Sequence, residues 1–119
     1  MKICVTGQGP DLASQVDPRF GRAAFFIIYE DEKETFEVVD NSENKKASGG
    51  AGIQAATTVA EKECDWVVSG HMGPKALSVL QEAGIDVATG ASGKVSEALR
   101  AFREGELDEI DEADVSPHW

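Results

Sequence analysis

The sequence predicts a three-layer α/β sandwich, and three observations carry that prediction. Short apolar runs at 3–6, 66–69 and 85–88 have the length and composition of strands buried on both faces. Segments with helical apolar spacing follow the later runs and precede 66–69. A pair of runs rich in β-branched and aromatic residues, 24–30 and 35–40, flanks the turn Asp31-Glu32-Lys33 and reads as a hairpin.

Taken in order, 3–6 is the first strand, and the Gly-, Pro- and Asp-rich stretch 7–21 after it is a loop. The hairpin supplies strands two and three. Residues 41–52 are polar and glycine-rich. Ile53, Ala56, Ala60 and Cys64 then fall on one face of a first helix. After the strand at 66–69 comes the turn Gly70-His71-Met72-Gly73-Pro74, with Pro74 suited to the first position of a helix. That second helix carries Ala76, Leu77, Leu80 and Ala83 inward and stops at Gly84. The fifth strand, 85–88, leads through a loop at 89–93 to a third helix, 95–103, with Val95, Leu99 and Phe102 on one side. Right-handed crossovers place these elements in a mixed five-stranded sheet of order 3-2-1-4-5, strand 2 antiparallel, with three helices: a sandwich of the ribonuclease-H-like kind.

At 119 residues the chain supports one core, which the periodicity confines to 1–103. Beyond it Glu104, Glu106, Asp108, Glu109, Asp111, Glu112 and Asp114 crowd together without apolar periodicity. Segment 104–119 is therefore expected to be a mobile acidic tail, or else a partner-docking peptide ending in Pro117-His118-Trp119, where His118 is expected to be solvated. No apolar stretch approaches the roughly 20 residues of a membrane helix, and the run at 3–6 is too short for a signal peptide. Cys4 and Cys64 form no CxxC or zinc pattern and fit a reducing compartment, so a cytoplasmic protein, monomeric or weakly dimeric, is expected. The net charge of −11 argues against a nucleic-acid partner.

The topology says where a ligand would bind. Strands 1, 3, 4 and 5 run the same way, so the segments 7–22, 41–52, 70–75 and 89–94 leave one edge of the sheet, where open α/β sheets hold their ligands. These segments contain most of the chain's 12 glycines. Helix starts near Gly52, Pro74 and Lys94 point their positive ends there. The same segments carry Arg19, Arg22, Lys45, Lys46, Lys75 and Lys94 against only Asp11, Asp17 and Glu43. A small anion or anionic cluster fits such a mouth on an acidic body. The competing reading is that loops hold glycine and lysine anyway. The candidate residues are Arg19, Phe20, Gly21, Arg22, Gly50, Gly52, Gly70, His71, Met72, Gly73 and Ser92.

Several side chains have two readings. His71 and Met72 offer an imidazole and a soft thioether suited to Cu(I), or else a loop hydrogen bond and a plug for the core. Cys4 and Cys64 read as small core residues. Phe20 anchors its loop by burial. Lys45-Lys46 serve solubility or steering of a cluster or partner. Catalysis is not expected: strands 1 and 4 lack the carboxylates a two-metal nuclease needs, and no Ser-His-Asp set stands out. Gly50-Ala51-Gly52 before a helix is a weak signal for a mononucleotide site, without the Gly-x-Gly-x-x-Gly or Lys-Ser/Thr that would strengthen it.

Val16-Asp17-Pro18-Arg19-Phe20-Gly21-Arg22-Ala23 followed by Phe26, then Asn41, Gly49-Gly50-Ala51-Gly52 and Gly70-His71-Met72-Gly73-Pro74-Lys75-Ala76, resembles the ordered motifs of the dinitrogenase iron–molybdenum cofactor biosynthesis family. The likeness spans about 1–103 and is greatest to the orange protein branch of anaerobic bacteria. It implies a ribonuclease-H-like fold and a small protein that holds a molybdenum–copper sulfide cluster non-covalently, or alternatively iron–molybdenum cofactor or a precursor. In the nitrogenase branch a histidine tends to precede the Phe-Gly pair, whereas this chain has Arg19. A guanidinium does not ligate metal but pairs with a thiometallate anion. The departure therefore favours electrostatic capture of a sulfide-rich cluster.

Overall fold

The computed structural model describes residues 1–46 and 49–115, with the Lys45 side chain excepted. That side chain, and with it the readings placed on Pro117, His118 and Trp119, lie outside the described residues. The elements are β1 (Lys2–Gly7), β2 (Phe25–Glu30), β3 (Thr35–Asp40), α1 (Ser42–Lys45), α2 (Ala51–Glu61), β4 (Trp66–Val68), α3 (Pro74–Glu82), β5 (Asp86–Thr89), α4 (Val95–Arg103) and β6 (Asp108–Ile110).

They build one mixed sheet of order β3-β2-β1-β4-β5-β6. β2 is antiparallel to both β1 and β3, β4 is parallel to β1 and β5, and β6 is antiparallel to β5. The expected 3-2-1-4-5 arrangement is therefore present inside a larger sheet. Five strands and three helices must be corrected to six and four among the described residues. The sixth strand falls within the segment read as a mobile acidic tail: Val87 to Thr89 pair with Ile110 to Asp108, and Ile110 and Ala113 pack on the core. The extra helix, α1, is a single turn in the segment read only as polar.

Two buried clusters lie on opposite faces of the sheet. One joins Cys4, Phe26, Ile28, Val67 and Val87 to Ala55, Ala56 and Val59 of α2 and to Ala76, Leu77 and Leu80 of α3. The other joins Ile3, Val5, Ile27, Val68 and Ala88 to Val95, Ala98 and Leu99 of α4. Side chains alternate between the two clusters along β1, as the two-residue period of a strand requires. Each large apolar side chain buried here contributes roughly 1.5–3 kcal/mol.

The inward stripe of α2 differs from the expected one. Ile53 is 42% exposed, and the buried residues are Ala51, Ala55, Ala56 and Val59. The reason is distance: a Cβ on Gly52 would sit only 3.3 Å from the Ala76 Cβ, so α2 meets α3 on its smallest side chains and turns Ile53 outward. Cys64 is buried as expected, but beyond the end of α2. No helix among the described residues is long and apolar enough to cross a membrane.

Candidate functional site

The four segments leaving the carboxyl ends of β1, β3, β4 and β5 are joined to one another. Loop 8–24 is the hub. It closes on β1 through Asp17 N–H to the Thr6 carbonyl (2.9 Å) and on itself through Gln8 N–H to the Gln15 carbonyl (2.8 Å). It meets the β4–α3 turn through His71 N–H to the Pro18 carbonyl (2.9 Å), in a parallel bridge between Arg19 and His71. It meets the β5–α4 loop through Val16 N–H to the Gly93 carbonyl (2.8 Å). Asn41 and Asn44 complete the set, both donating from Nδ2 to the Gly21 carbonyl (3.3 and 3.4 Å) and further to Ala23 and Ala51.

Two glycines are required by contact. A Cβ on Gly70 would lie 2.8 Å from the Pro18 Cα and 2.9 Å from its carbonyl oxygen. A Cβ on Gly21 would lie 2.8 and 2.9 Å from the Gly52 Cα and N. Gly21, Gly52 and Gly70 thus let backbone approach backbone, a use of glycine distinct from the close approach of a ligand. Around Gly49 and Gly50 the space is open, and Gly50 takes a left-handed conformation (φ 74°) before α2.

The helix starts are not equivalent. The first amides of α4 are engaged: Val95 N–H donates to the Ser14 carbonyl (2.8 Å) and Ser96 N–H to the Leu12 carbonyl (2.9 Å). Glu97 Oε1 accepts from Lys94 N–H at 2.9 Å. By contrast α2 and α3 begin at Gly50 and Gly73 without a side-chain cap. Among the described residues, the helix starts at this edge without such partners are those of α2 and α3, which touch each other at Gly52 and Ala76 beside Gly21.

The candidate residues are spread over these segments. Arg19 is exposed and Arg22 half-buried in the hub loop, and Phe20 between them is 2% exposed and stacked on Phe26 at 5.5 Å. Gly21, Gly52 and Gly70 make the backbone contacts just described, and Gly50 and Gly73 are the residues from which α2 and α3 start. Ser92 is exposed in the β5–α4 loop, between Ala91, whose N–H bonds the Ser69 carbonyl, and Gly93, which accepts from Val16. Met72 takes the second of its two readings: its side chain is fully buried in the core cluster beneath the turn. Cys4 and Cys64 pack in that same cluster, and burial pushes the Cys4 thiol well up.

One participant has no signal in the sequence. Asp114, from the segment after β6, places Oδ2 3.1 Å from Nδ1 of His71, whose side chain is 45% exposed. Its Oδ1 accepts from Met72 N–H at 2.7 Å, and its own N–H donates to the Met72 carbonyl at 3.2 Å. The charge balance drawn from the loops alone omits this carboxylate. Among the described residues no group of three or more His, Cys, Asp or Glu is placed to hold a metal ion.

Comparison with known proteins finds the same fold in related chains. Residues 1–105 match the family model described as dinitrogenase iron–molybdenum cofactor. The apo orange protein from Desulfovibrio gigas superposes with a TM-score of 0.91 at 38% identity, covering 96% of each chain. A Thermotoga protein of the DUF35 family gives 0.82 at 34% identity, covering 92% of this chain and 93% of its own. An uncharacterized protein of Methanocaldococcus jannaschii is 30% identical over 100 residues, 82% of this chain and 85% of the relative.

Proposed function

Because the chain belongs to the dinitrogenase iron–molybdenum cofactor family, we propose that it is a non-catalytic carrier of a small anionic metal–sulfide cluster. The observation that carries this reading is the meeting of two uncapped helix starts, α2 and α3, with the arginine-bearing loop at 19–22. Helix starts and guanidinium forks attract an anion, and neither supplies a bond to metal. The donor set suits a guest that brings its own sulfide ligands, since no thiolate stands at this edge. Molybdenum–copper sulfide is the cargo favoured by likeness to the orange protein. Iron–molybdenum cofactor or a precursor is the alternative within the family.

The finer parts of the reading follow from the same residues. Arg19, Arg22 and the amides near Gly50, Gly52, Gly70 and Gly73 hold the cluster by charge and hydrogen bonds. Ser92 lies at the rim. His71 is the side chain at the mouth able to touch a metal, and the burial of Met72 takes its thioether out of that role. The strand order supports the ribonuclease-H-like fold that the resemblance implies. Free Cys4 and Cys64 fit a reducing cytoplasm. A carrier of this kind delivers its cargo to an acceptor protein and works as a monomer or weak dimer.

The test is anaerobic reconstitution of Arg19→Ala/Arg22→Ala with tetrathiomolybdate and copper. Removing two charge-assisted contacts, each worth about 1.5–3 kcal/mol, weakens cluster retention at least tenfold. An undiminished charge-transfer spectrum after desalting overturns the electrostatic capture.

A further inference from the structure

Resting on the reading of this edge as a metal–sulfide site, we propose that Asp114 is a positioning residue for His71. Its carboxylate holds the imidazole with the proton on Nδ1, so the ring nitrogen that would serve a cluster metal is Nε2. Asp114 lies beyond residues 1–105, the span matched by the family model.

The geometry is specific. Both carboxylate oxygens are engaged on adjacent residues: Oδ1 takes the Met72 N–H at 2.7 Å and Oδ2 faces Nδ1 of His71 at 3.1 Å. The backbone of Asp114 returns a third bond to the Met72 carbonyl at 3.2 Å. The segment is anchored independently of the histidine. β6 pairs with β5, Ile110 and Ala113 pack on the core, and Gln81 Nε2 donates to the Asp111 carbonyl at 2.9 Å. A carboxylate only accepts, so a neutral imidazole facing it carries its proton on the facing nitrogen. Carboxylate partners of this kind orient a metal-binding histidine and raise the basicity of its other nitrogen. This accounts for an acid beside an otherwise basic mouth, where its charge alone would repel an anion.

Asp114→Asn separates positioning from support. Asparagine has one acceptor oxygen for two facing donors. With Oδ1 kept on the Met72 N–H, its amide turns N–H toward Nδ1 and drives the ring proton to Nε2. The fold is retained and the tautomer reversed. The first measurement is the ring 15N shifts of His71 in the cluster-free full chain, followed with rising pH until they no longer change, so that the neutral ring is read. His71→Ala assigns the signals, and thermal unfolding confirms that the variant is folded. The wild type is expected to show Nδ1–H and Asp114→Asn to show Nε2–H. An Nε2–H wild type, or a tautomer indifferent to the substitution, overturns the proposal. The second is titration with copper and tetrathiomolybdate, where Asp114→Asn is expected to weaken binding about 10–100-fold. Equal affinity overturns it. A wild type that takes up no cluster instead contradicts the carrier reading, while the tautomer still decides the role of Asp114.

Discussion

The two ends of the sheet are closed by different chemistry. At the end where β1 begins, opposite charges meet. The Met1 amine sits 2.6 Å from Asp31, 3.1 Å from Glu30 and 3.8 Å from Glu32. Nearby, Lys2 N–H bonds Asp65 at 2.8 Å, and Lys62 reaches Glu37 at 3.4 Å. At the end where β1 finishes, loops are stitched by backbone bonds and glycine contacts. Arginines stand there beside two uncapped helix starts. Exposed pairs between flexible side chains contribute little and are screened by salt. Backbone contacts leave no slack for an added methyl group. The same sheet thus has one end that tolerates change and one whose shape is tightly set, and a preorganised binding site belongs at the second.

Substitution at a glycine contact tests this contrast most strongly. Gly70→Ala drives a Cβ to 2.8 Å from the Pro18 Cα, a clash with backbone rather than with a flexible side chain. A destabilisation of about 1–3 kcal/mol is expected by chemical denaturation. Cluster retention should fall with it, because Pro18 carries Arg19 beside His71. A variant as stable as the wild type would show that this end is as yielding as the other.

A smaller effect is expected at the charged end. In protein beginning at Met1, the hydrogen bonds that the amine donates to Asp31 and Glu30 push it up to about 10 from an ordinary value of 8.0. A group raised in the folded state stabilises fully below its unfolded value and loses that contribution as pH rises through the folded one. Stability should therefore decline between about pH 8 and pH 10. Acetylating the amine should remove the decline, and raised salt should flatten it. Cluster binding should be unaffected by acetylation. A shift in uptake would join the two ends that the structure keeps apart.

The central sheet was legible because its buried strands are short, apolar and bounded by glycine, and the hairpin announced itself by Phe25 to Tyr29. β6 was not. Asp108-Glu109-Ile110 offers a single apolar side chain, and the strand is held by backbone bonds to β5 that no side-chain pattern reports. In the α2 stripe Ala56, Ala60 and Cys64 face the core and Ile53 does not, because spacing alone admits Ile53 while contact with α3 selects small residues. The convergence of the site's loops followed from the rule that parallel strands share an edge. The engagement of the α4 amides by Leu12 and Ser14, and the partnership of Asp114 with His71 across 43 positions, are tertiary facts without a local signature.

The most direct measurement is a backbone amide NMR map of the full chain during anaerobic titration with copper and tetrathiomolybdate. The account predicts slow-exchange shifts centred on Arg19–Arg22, Gly49–Gly52 and Gly70–Lys75, with Lys2, Cys64 and Asp65 unmoved. Shifts centred on the charged end, or none at either end, would contradict it.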